Sequence, residues 1–265
     1  MLVSDYVKIF CGAVVAATCL GAVAVASKAA TAPLSVNPRV NPATEFKTYT
    51  WLTANAEVQH LKVPNAVRVL RGAEVKEKVV SLTFDDAPRP ETTEALMRIL
   101  TREKAPATFF VIGKQVERFP TVTQEIDANG FGIGNHTYSH VNLKQVPLED
   151  IETEYAATND AVRGLVGHGM EFCRPPGGDC NVKVERGAAA VGLKTVLWTD
   201  DPSDYTMPGE QAILDYTLGH LTDGGIILLH DGVDQTIQCL PKLIEGIRAR
   251  GYKIVPLGEL PSTKL

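Results

Sequence analysis

From Lys78 onward, short apolar runs alternate with longer amphipathic segments. The apolar runs predict seven strands, at 79–84, 107–112, 131–134, 171–173, 193–198, 225–229 and 252–257. The segments between them predict helices near 91–104, 114–129, 148–166, 181–191, 208–222 and 236–250. Such alternation is typical of an α/β protein with a parallel sheet. Seven strands favour a distorted (β/α) barrel, with a doubly wound open sheet as the alternative.

Polar side chains follow five of the predicted strands at the point where each strand ends. They are Asp85 and Asp86 after the first strand, His136 and His140 after the third, Arg174 after the fourth, Asp201 and Asp204 after the fifth, and His230 and Asp231 after the sixth. The C-terminal ends of parallel strands face one way and carry the active site in such folds. The sequence therefore predicts a catalytic face at the strand C-termini.

The N-terminal part of the chain has a different character. Residues 9–27 form an uncharged, mostly apolar run between Lys8 and Lys28, which predicts an export signal or a membrane anchor within residues 1–30. Residues 31–76 contain four prolines and no sustained periodicity, so we expect a linker or an irregular extension there. The predicted domain covers residues 77–265. Export would place it in the periplasm, at the cell surface or outside the cell.

Composition narrows the choice of partners. The 265-residue chain has a net charge of -5 and a pI near 5.7, so it lacks the basic surface of a nucleic-acid-binding protein. A monomer is expected. In an exported protein Cys173 and Cys180 could form a disulfide and leave Cys239 free, and the absence of a CxxC pair argues against a cysteine zinc site.

The stretch HTYSH places His136 and His140 four residues apart, which lets both imidazoles face one point. With Asp86 they would form a two-histidine, one-carboxylate site suited to a catalytic divalent ion. Asp85 would then be free to take a proton from a water, which explains two adjacent carboxylates at one strand end.

Other residues at these strand ends suit supporting roles. Arg174 could hold Asp85 ionised, and the glycines that follow it could let backbone N–H groups approach an oxyanion. His230 could protonate a leaving nitrogen, and Asp201 could orient that histidine and raise its pKa. Each of these residues could instead be an ordinary surface or strand-end residue.

Taken in order, five short motifs resemble those of the polysaccharide deacetylases of the NodB-homology type, the family-four carbohydrate esterases. The motifs are TFDDAP, HTYSH, RPPGG, DPSDY and LLH, and they span roughly residues 78–260. The resemblance implies a distorted barrel and metal-dependent removal of acetyl groups from N-acetylated sugars. It implies Asp85 as the base, Asp86, His136 and His140 as ligands, Arg174 as the partner of the base, His230 as the acid, Asp201 as its tuning carboxylate, and the Gly177 N–H at the oxyanion.

The chain departs from the family pattern at three positions, where Ala87 replaces glycine, Gly177 replaces a larger residue and Tyr205 replaces tryptophan. We expect these departures to affect substrate preference. The resemblance favours one divalent metal, Zn²⁺ first, with Co²⁺ or Ni²⁺ as alternatives. It favours an N-acetylglucosamine polymer such as peptidoglycan or a chitin-like glycan. An O-acetyl esterase, a small-amide amidohydrolase and a non-catalytic glycan-binding protein remain alternatives.

Overall fold

A computed structural model of the chain describes residues 77–261. The predicted signal or anchor at 1–30, with its apolar run at 9–27, and the predicted linker at 31–76 lie outside the described residues. They stay predictions. Within 77–261, the helices are too short or too polar to cross a membrane.

Strands and helices alternate along the described chain. In order they are β1 (Val79–Ala87), α1 (Pro90–Arg102), β2 (Ala107–Val111), α2 (Gly113–Arg118), α3 (Pro120–Ala128), β3 (Gly132–Asn135), α4 (Leu148–Val166), β4 (Phe172–Cys173), α5 (Val182–Ala190), β5 (Lys194–Thr195), α6 (Glu210–Gly219), β6 (Gly225–His230), α7 (Asp234–Ala249) and β7 (Lys253–Ile254). Each predicted strand is present, although β4, β5 and β7 contain only two residues each.

The strands form one parallel sheet in the order β5-β4-β3-β2-β1-β6, with β7 paired to the start of β1. The two ends of this order meet, because Asp200 beyond β5 forms a parallel bridge with Ile227 of β6. That bridge closes the sheet into a distorted barrel. The prediction of a (β/α) barrel with seven parallel strands is confirmed, and the doubly wound open sheet is wrong.

Two apolar layers hold the sheet in place, and β2 shows how one strand serves both. Phe109 packs outward between the sheet and the helices, where it stacks on Phe84 with ring centroids 5.3 Å apart. The next residue, Phe110, points into the barrel and packs in a second cluster with Phe172 and Ile226. Successive residues of a strand face opposite sides, so a continuous apolar run is what a doubly covered strand requires.

The helix predicted over 114–129 is two helices in the structure. The first, α2, ends at Arg118, and α3 begins at Pro120. Proline has no N–H to donate and disfavours helical geometry in the residue before it. Phe119 accordingly takes φ -130° and ψ 58°, which breaks the helix at that point.

Cys173 and Cys239 are free thiols, so the Cys173–Cys180 disulfide considered from the sequence is absent. Cys173 is buried on β4 with its Sγ 3.8 Å from Thr195 Oγ1, and burial raises the pKa of this thiol to about 12. Cys180 is half-buried beside Glu185. Cys173 is therefore a core residue without nucleophilic character at neutral pH.

Candidate active site

Asp86, His136 and His140 come together at the C-terminal ends of the strands. One side-chain oxygen of Asp86 and one ring nitrogen of each histidine lie within 4.8 Å of one another. Asp86 Oδ1 is 3.2 Å from His140 Nε2 and 3.6 Å from His136 Nε2. The spatial convergence that the sequence predicted for these three residues is present.

Local backbone geometry brings the three side chains to one point. Asp86 adopts a left-handed conformation with φ 69° at the end of β1, and His140 does the same with φ 57°. His136 directly follows β3, and its backbone N–H donates to the Val111 carbonyl of the neighbouring strand. The strand ends therefore supply two ligands, and the turn after β3 supplies the third.

The protonation of His136 suits a ligand. Its Nδ1 lies 2.8 Å from the Arg174 carbonyl oxygen, which can only accept, so Nδ1 carries the proton. The lone pair of Nε2 then faces Asp86 and His140. Burial lowers the pKa of His136, which keeps the ring neutral despite the nearby carboxylates. A second hydrogen bond that fixes the tautomer is the usual arrangement of a metal-ligating histidine.

The donor set fits a divalent cation. Asp86 Oδ1 is buried and has no hydrogen-bond partner among the described residues, although it faces two imidazole nitrogens. Burial alone would raise the pKa of Asp86, but contact with His140 and the charge of nearby histidines lower it to about 2. The carboxylate is thus ionised at neutral pH. One carboxylate oxygen and two imidazole nitrogens are ligands that Zn²⁺, Co²⁺ and Ni²⁺ accept.

Asp85 lies on the other side of this cluster and pairs with Arg174. Arg174 Nη1 donates to Asp85 Oδ1 at 2.6 Å, while Asp85 Oδ2 is 3.7 Å from His136 Nε2. Arg174 is fully buried and its remaining donors reach Thr83 Oγ1 and the Val196 and Leu197 carbonyls. The guanidinium also lies 4.2 Å from the centre of the Phe110 ring.

The burial of Arg174 lowers the pKa of its guanidinium, but the Asp85 carboxylate opposes that effect. Such a pair, in which each guanidinium nitrogen makes at least one hydrogen bond, holds Asp85 in one orientation beside the cluster.

His230 approaches from β6. The parallel register pairs Asp85 of β1 with His230 of β6, so the two side chains emerge from adjacent positions at the same rim. The Nδ1 of His230 donates to Asp204 Oδ1 at 2.7 Å, which leaves Nε2 as the atom available to a ligand. Burial lowers the pKa of His230, but the hydrogen bond and charge of Asp204 outweigh it and raise that pKa.

The carboxylate that holds His230 is therefore Asp204, and the assignment of Asp201 to this role is wrong. Asp201 Oδ1 instead accepts the backbone N–H of Ser203 at 2.8 Å. Ser203 adopts a left-handed backbone conformation, with φ 52°, and the turn that it forms brings Asp204 into contact with His230. The Asp204 side chain is fully buried, and its Oδ2 also accepts from the His230 N–H and the Thr236 hydroxyl. The motif DPSDY contains both carboxylates, Asp201 and Asp204, so the sequence offered both as partners of His230. The conformation of the turn at Ser203 determines that Asp204 is the one in contact.

Comparison with known proteins agrees with this geometry. The family profile described as polysaccharide deacetylase matches residues 72–196. A peptidoglycan-N-acetylglucosamine deacetylase of Bacillus cereus is 35% identical over 189 residues, which cover 69% of this chain and 88% of that protein. The chain belongs to the polysaccharide deacetylase family.

Two further proteins, one curated relative and one solved structure, are also similar to this chain. A chitooligosaccharide deacetylase of a Bradyrhizobium strain is 33% identical over 210 residues, covering 74% of this chain and 96% of that protein. A crystal structure of a mutant CE4-family pseudoenzyme with restored enzymatic activity, whose wild type is from Bacillus anthracis, has a TM-score of 0.71 and 27% identity. That alignment covers 74% of this chain and 71% of the pseudoenzyme. In this chain the residues predicted as base, acid and ligands lie together at the strand C-termini.

The family departures lie around the same rim. Gly177 is in a short turn with φ 64°, and no atom lies within 4 Å of where its side chain would begin. Tyr205 is 57% exposed, and its ring meets the His230 ring edge-on with centroids 5.1 Å apart. Ala87 is buried at the end of β1. The exposed Tyr205 ring beside the predicted acid offers a surface that a substrate could contact. The open position at Gly177 leaves space for the substrate.

Proposed function

We propose that this chain is a metal-dependent hydrolase that removes N-acetyl groups from an N-acetylglucosamine-containing polysaccharide, peptidoglycan or chitin-like, and releases acetate. One observation carries the proposal. The Asp86, His136 and His140 cluster is flanked by an Arg174-bound carboxylate, Asp85, and by an Asp204-bound imidazole, His230. The names of the two curated relatives, one acting on peptidoglycan and one on chitooligosaccharides, support this substrate class.

In this proposal Asp86, His136 and His140 hold one divalent metal, Zn²⁺ first and Co²⁺ or Ni²⁺ as alternatives. The cation would act as a Lewis acid that polarises the acetamide carbonyl and lowers the pKa of a water. Residues 9–27 act as an export signal or an anchor, which suits a glycan outside the cytoplasm. The catalytic domain then spans residues 77–265.

The chain's own groups move the protons. Asp85, held in place by the hydrogen bond from Arg174, accepts a proton from the attacking water as the water oxygen bonds to the acetamide carbon. The backbone N–H of Gly177 stabilises the negative charge that develops on the carbonyl oxygen. His230 in its protonated form, which Asp204 favours by raising the pKa against the effect of burial, then donates to the nitrogen as the C–N bond breaks. Acetate and the free amine leave.

The test is acetate release by the purified whole chain from chitooligosaccharides, peptidoglycan and acetylated xylan, assayed side by side with metal content measured on the same sample. We expect acetate from at least one of the two N-acetylated glycans. Asp85→Asn should lower turnover by about 10²- to 10⁴-fold and leave metal content unchanged, since Asp85 is outside the ligand set. His136→Ala should lose the metal.

Three results would contradict the proposal. Near-normal turnover by Asp85→Asn would remove the assigned base. Release from acetylated xylan alone would make the protein an O-acetyl esterase. A stoichiometrically metal-loaded protein that is inactive on all three substrates would contradict the proposed activity on N-acetylated glycans.

A further inference from the structure

The backbone between His136 and His140 takes a conformation that needs outside support. Thr137 and His140 both adopt left-handed conformations, with φ 67° and 57°, which residues other than glycine rarely take. Such residues keep these angles where surrounding contacts fix them. The segment 137–139 sets the direction of both imidazoles, so whatever fixes it also fixes the metal site.

One side of this segment is held by α2. The backbone N–H groups of Gly113 and Lys114 donate to the carbonyls of Thr137 and Tyr138, both at 3.0 Å. The approach is close, because a side chain at Gly113 would begin 2.5 Å from the Tyr138 ring. The Thr137 and Tyr138 carbonyls are thereby fixed. The Thr137 N–H donates to Asn135 Oδ1 at 2.8 Å, so the N–H groups of Tyr138 and Ser139 remain and need a separate acceptor.

Glu154 of α4 is that acceptor. Its Oε2 accepts the backbone N–H of Tyr138 at 2.9 Å and that of Ser139 at 2.7 Å, and its Oε1 accepts the Ser139 hydroxyl at 2.5 Å. The helix that carries Glu154 is itself tied to β3, because Asn135 Nδ2 donates to the Tyr155 carbonyl at 2.8 Å. Both carboxylate oxygens of Glu154 are thus used on one three-residue segment.

We infer that Glu154 is a positioning residue for the metal site, whose carboxylate fixes the segment between the two histidine ligands before any cation binds. This inference rests on the metal site of the proposed function. Glu154 contacts neither the cation donors nor the predicted base. Its effect is on the entropy and direction of the two imidazoles, as expected of groups that orient metal ligands from outside the coordination shell.

Four variants separate positioning from other effects. Glu154→Leu removes all three acceptors, and Glu154→Asp keeps the charge on a side chain too short to reach both N–H groups. Glu154→Gln retains one carbonyl oxygen for the two N–H groups, and its amide can donate to the Ser139 hydroxyl. Glu117→Leu is the matched control, because Glu117 contacts the same segment only through the Tyr138 hydroxyl, at 2.9 Å.

The measurement is Co²⁺ binding to the whole chain by competition with a chromophoric chelator, together with the visible absorption spectrum of the bound Co²⁺. We expect Glu154→Leu to raise the Kd for Co²⁺ by about 10- to 100-fold and to change the spectrum. Glu154→Asp should also weaken binding, whereas Glu154→Gln and Glu117→Leu should resemble the wild type. If Glu154→Leu does not fold, the Co²⁺ affinity and spectrum of Glu154→Asp provide the test.

Wild-type affinity and spectrum in Glu154→Leu or in folded Glu154→Asp would overturn the inference. Equal loss in Glu154→Gln and Glu154→Leu would also overturn it, since the charge and not the hydrogen-bond geometry would then matter. Failure of the wild-type protein to bind Co²⁺ would remove the proposed metal site together with this inference. Binding by the wild type with no effect at Glu154 would leave the site and remove only the positioning role.

Discussion

Two carboxylates at the strand ends each hold a basic group, and the two pairs serve opposite ends of the proposed reaction. Asp85 accepts a hydrogen bond from fully buried Arg174 and is the proposed general base, which takes a proton from water. Asp204 accepts a hydrogen bond from His230 and raises the pKa of that ring, which suits His230 as the proposed general acid. Opposite environments for two titratable groups are how one site performs base and acid chemistry at one pH.

At the residue scale, Asp204→Asn should shift the pH dependence of turnover. His230 must carry a proton to act as the acid, so kcat/KM falls as pH rises through the pKa of His230. Asp204 raises that pKa, and its neutral replacement lowers it. We expect the alkaline limb of the kcat/KM profile to move about 1 to 2 pH units toward lower pH.

The matched variant for this prediction is Asp201→Asn, since Asp201 bonds the Ser203 N–H and not His230. Its alkaline limb should stay at the wild-type position, whatever its rate. A shift in Asp201→Asn with none in Asp204→Asn would reverse the assignment of the two carboxylates.

At the element scale, the turn after β4 contains two left-handed glycines with different surroundings. Gly177 has φ 64° and open space where a side chain would begin, whereas a side chain at Gly178, with φ 66°, would begin 2.4 Å from the Trp198 ring. Trp198 in turn lies 5.6 Å from the Arg174 guanidinium. The turn therefore packs closely against the residues that hold the predicted base.

These two glycines make a matched pair for a stability measurement. Gly177→Ala and Gly178→Ala carry the same cost of a left-handed alanine, on the order of 1 kcal/mol. Gly178→Ala must also displace Trp198, so we expect its free energy of unfolding to be lower than that of Gly177→Ala by about 1–3 kcal/mol. Urea denaturation of both variants measures the difference. Equal values would show that contact with Trp198 does not constrain the turn.

Local patterns in the sequence predicted most of the barrel and the metal cluster. Apolar runs such as 107–112 and the four-residue spacing of His136 and His140 are short-range signals, and strand ends of a parallel sheet converge by topology. The role of Asp204 was not predictable in this way, because it depends on the left-handed turn at Ser203. Glu154 lies on α4, 15 residues from Ser139, and carries no local signal of its contact with that segment.

At the scale of the whole molecule, the barrel closes next to a buried carboxylate, that of Asp200. Asp200 forms the bridge with Ile227 through its backbone, and Leu228 donates to its carbonyl at 2.9 Å. Asp200 is 2% exposed, and neither of its carboxylate oxygens has a hydrogen-bond partner among residues 77–261. Burial raises the pKa of Asp200 to about 7, with the charge of Asp201 adding to the effect and His220 opposing it.

This carboxylate should make stability fall as pH rises. The unfolded chain loses the Asp200 proton near pH 3.8, whereas the folded protein keeps it until about pH 7. Between these values folding must retain a proton that the unfolded state releases, so the free energy of unfolding decreases and the loss is complete above pH 7. Roughly three pKa units at about 1.4 kcal/mol each give a loss on the order of 4 kcal/mol.

Asp200→Asn has no proton to lose and should therefore escape this decrease. The free energy of unfolding of the variant, minus that of the wild type, should rise by about 4 kcal/mol from pH 4 to pH 8, because the other titrating groups are shared and cancel. Urea denaturation at both pH values measures it, with Asp160→Asn as the control at a carboxylate that is 76% exposed. The control difference should stay constant with pH. An equally constant difference for Asp200→Asn would show that the carboxylate at the closure of the barrel is hydrated or paired in solution.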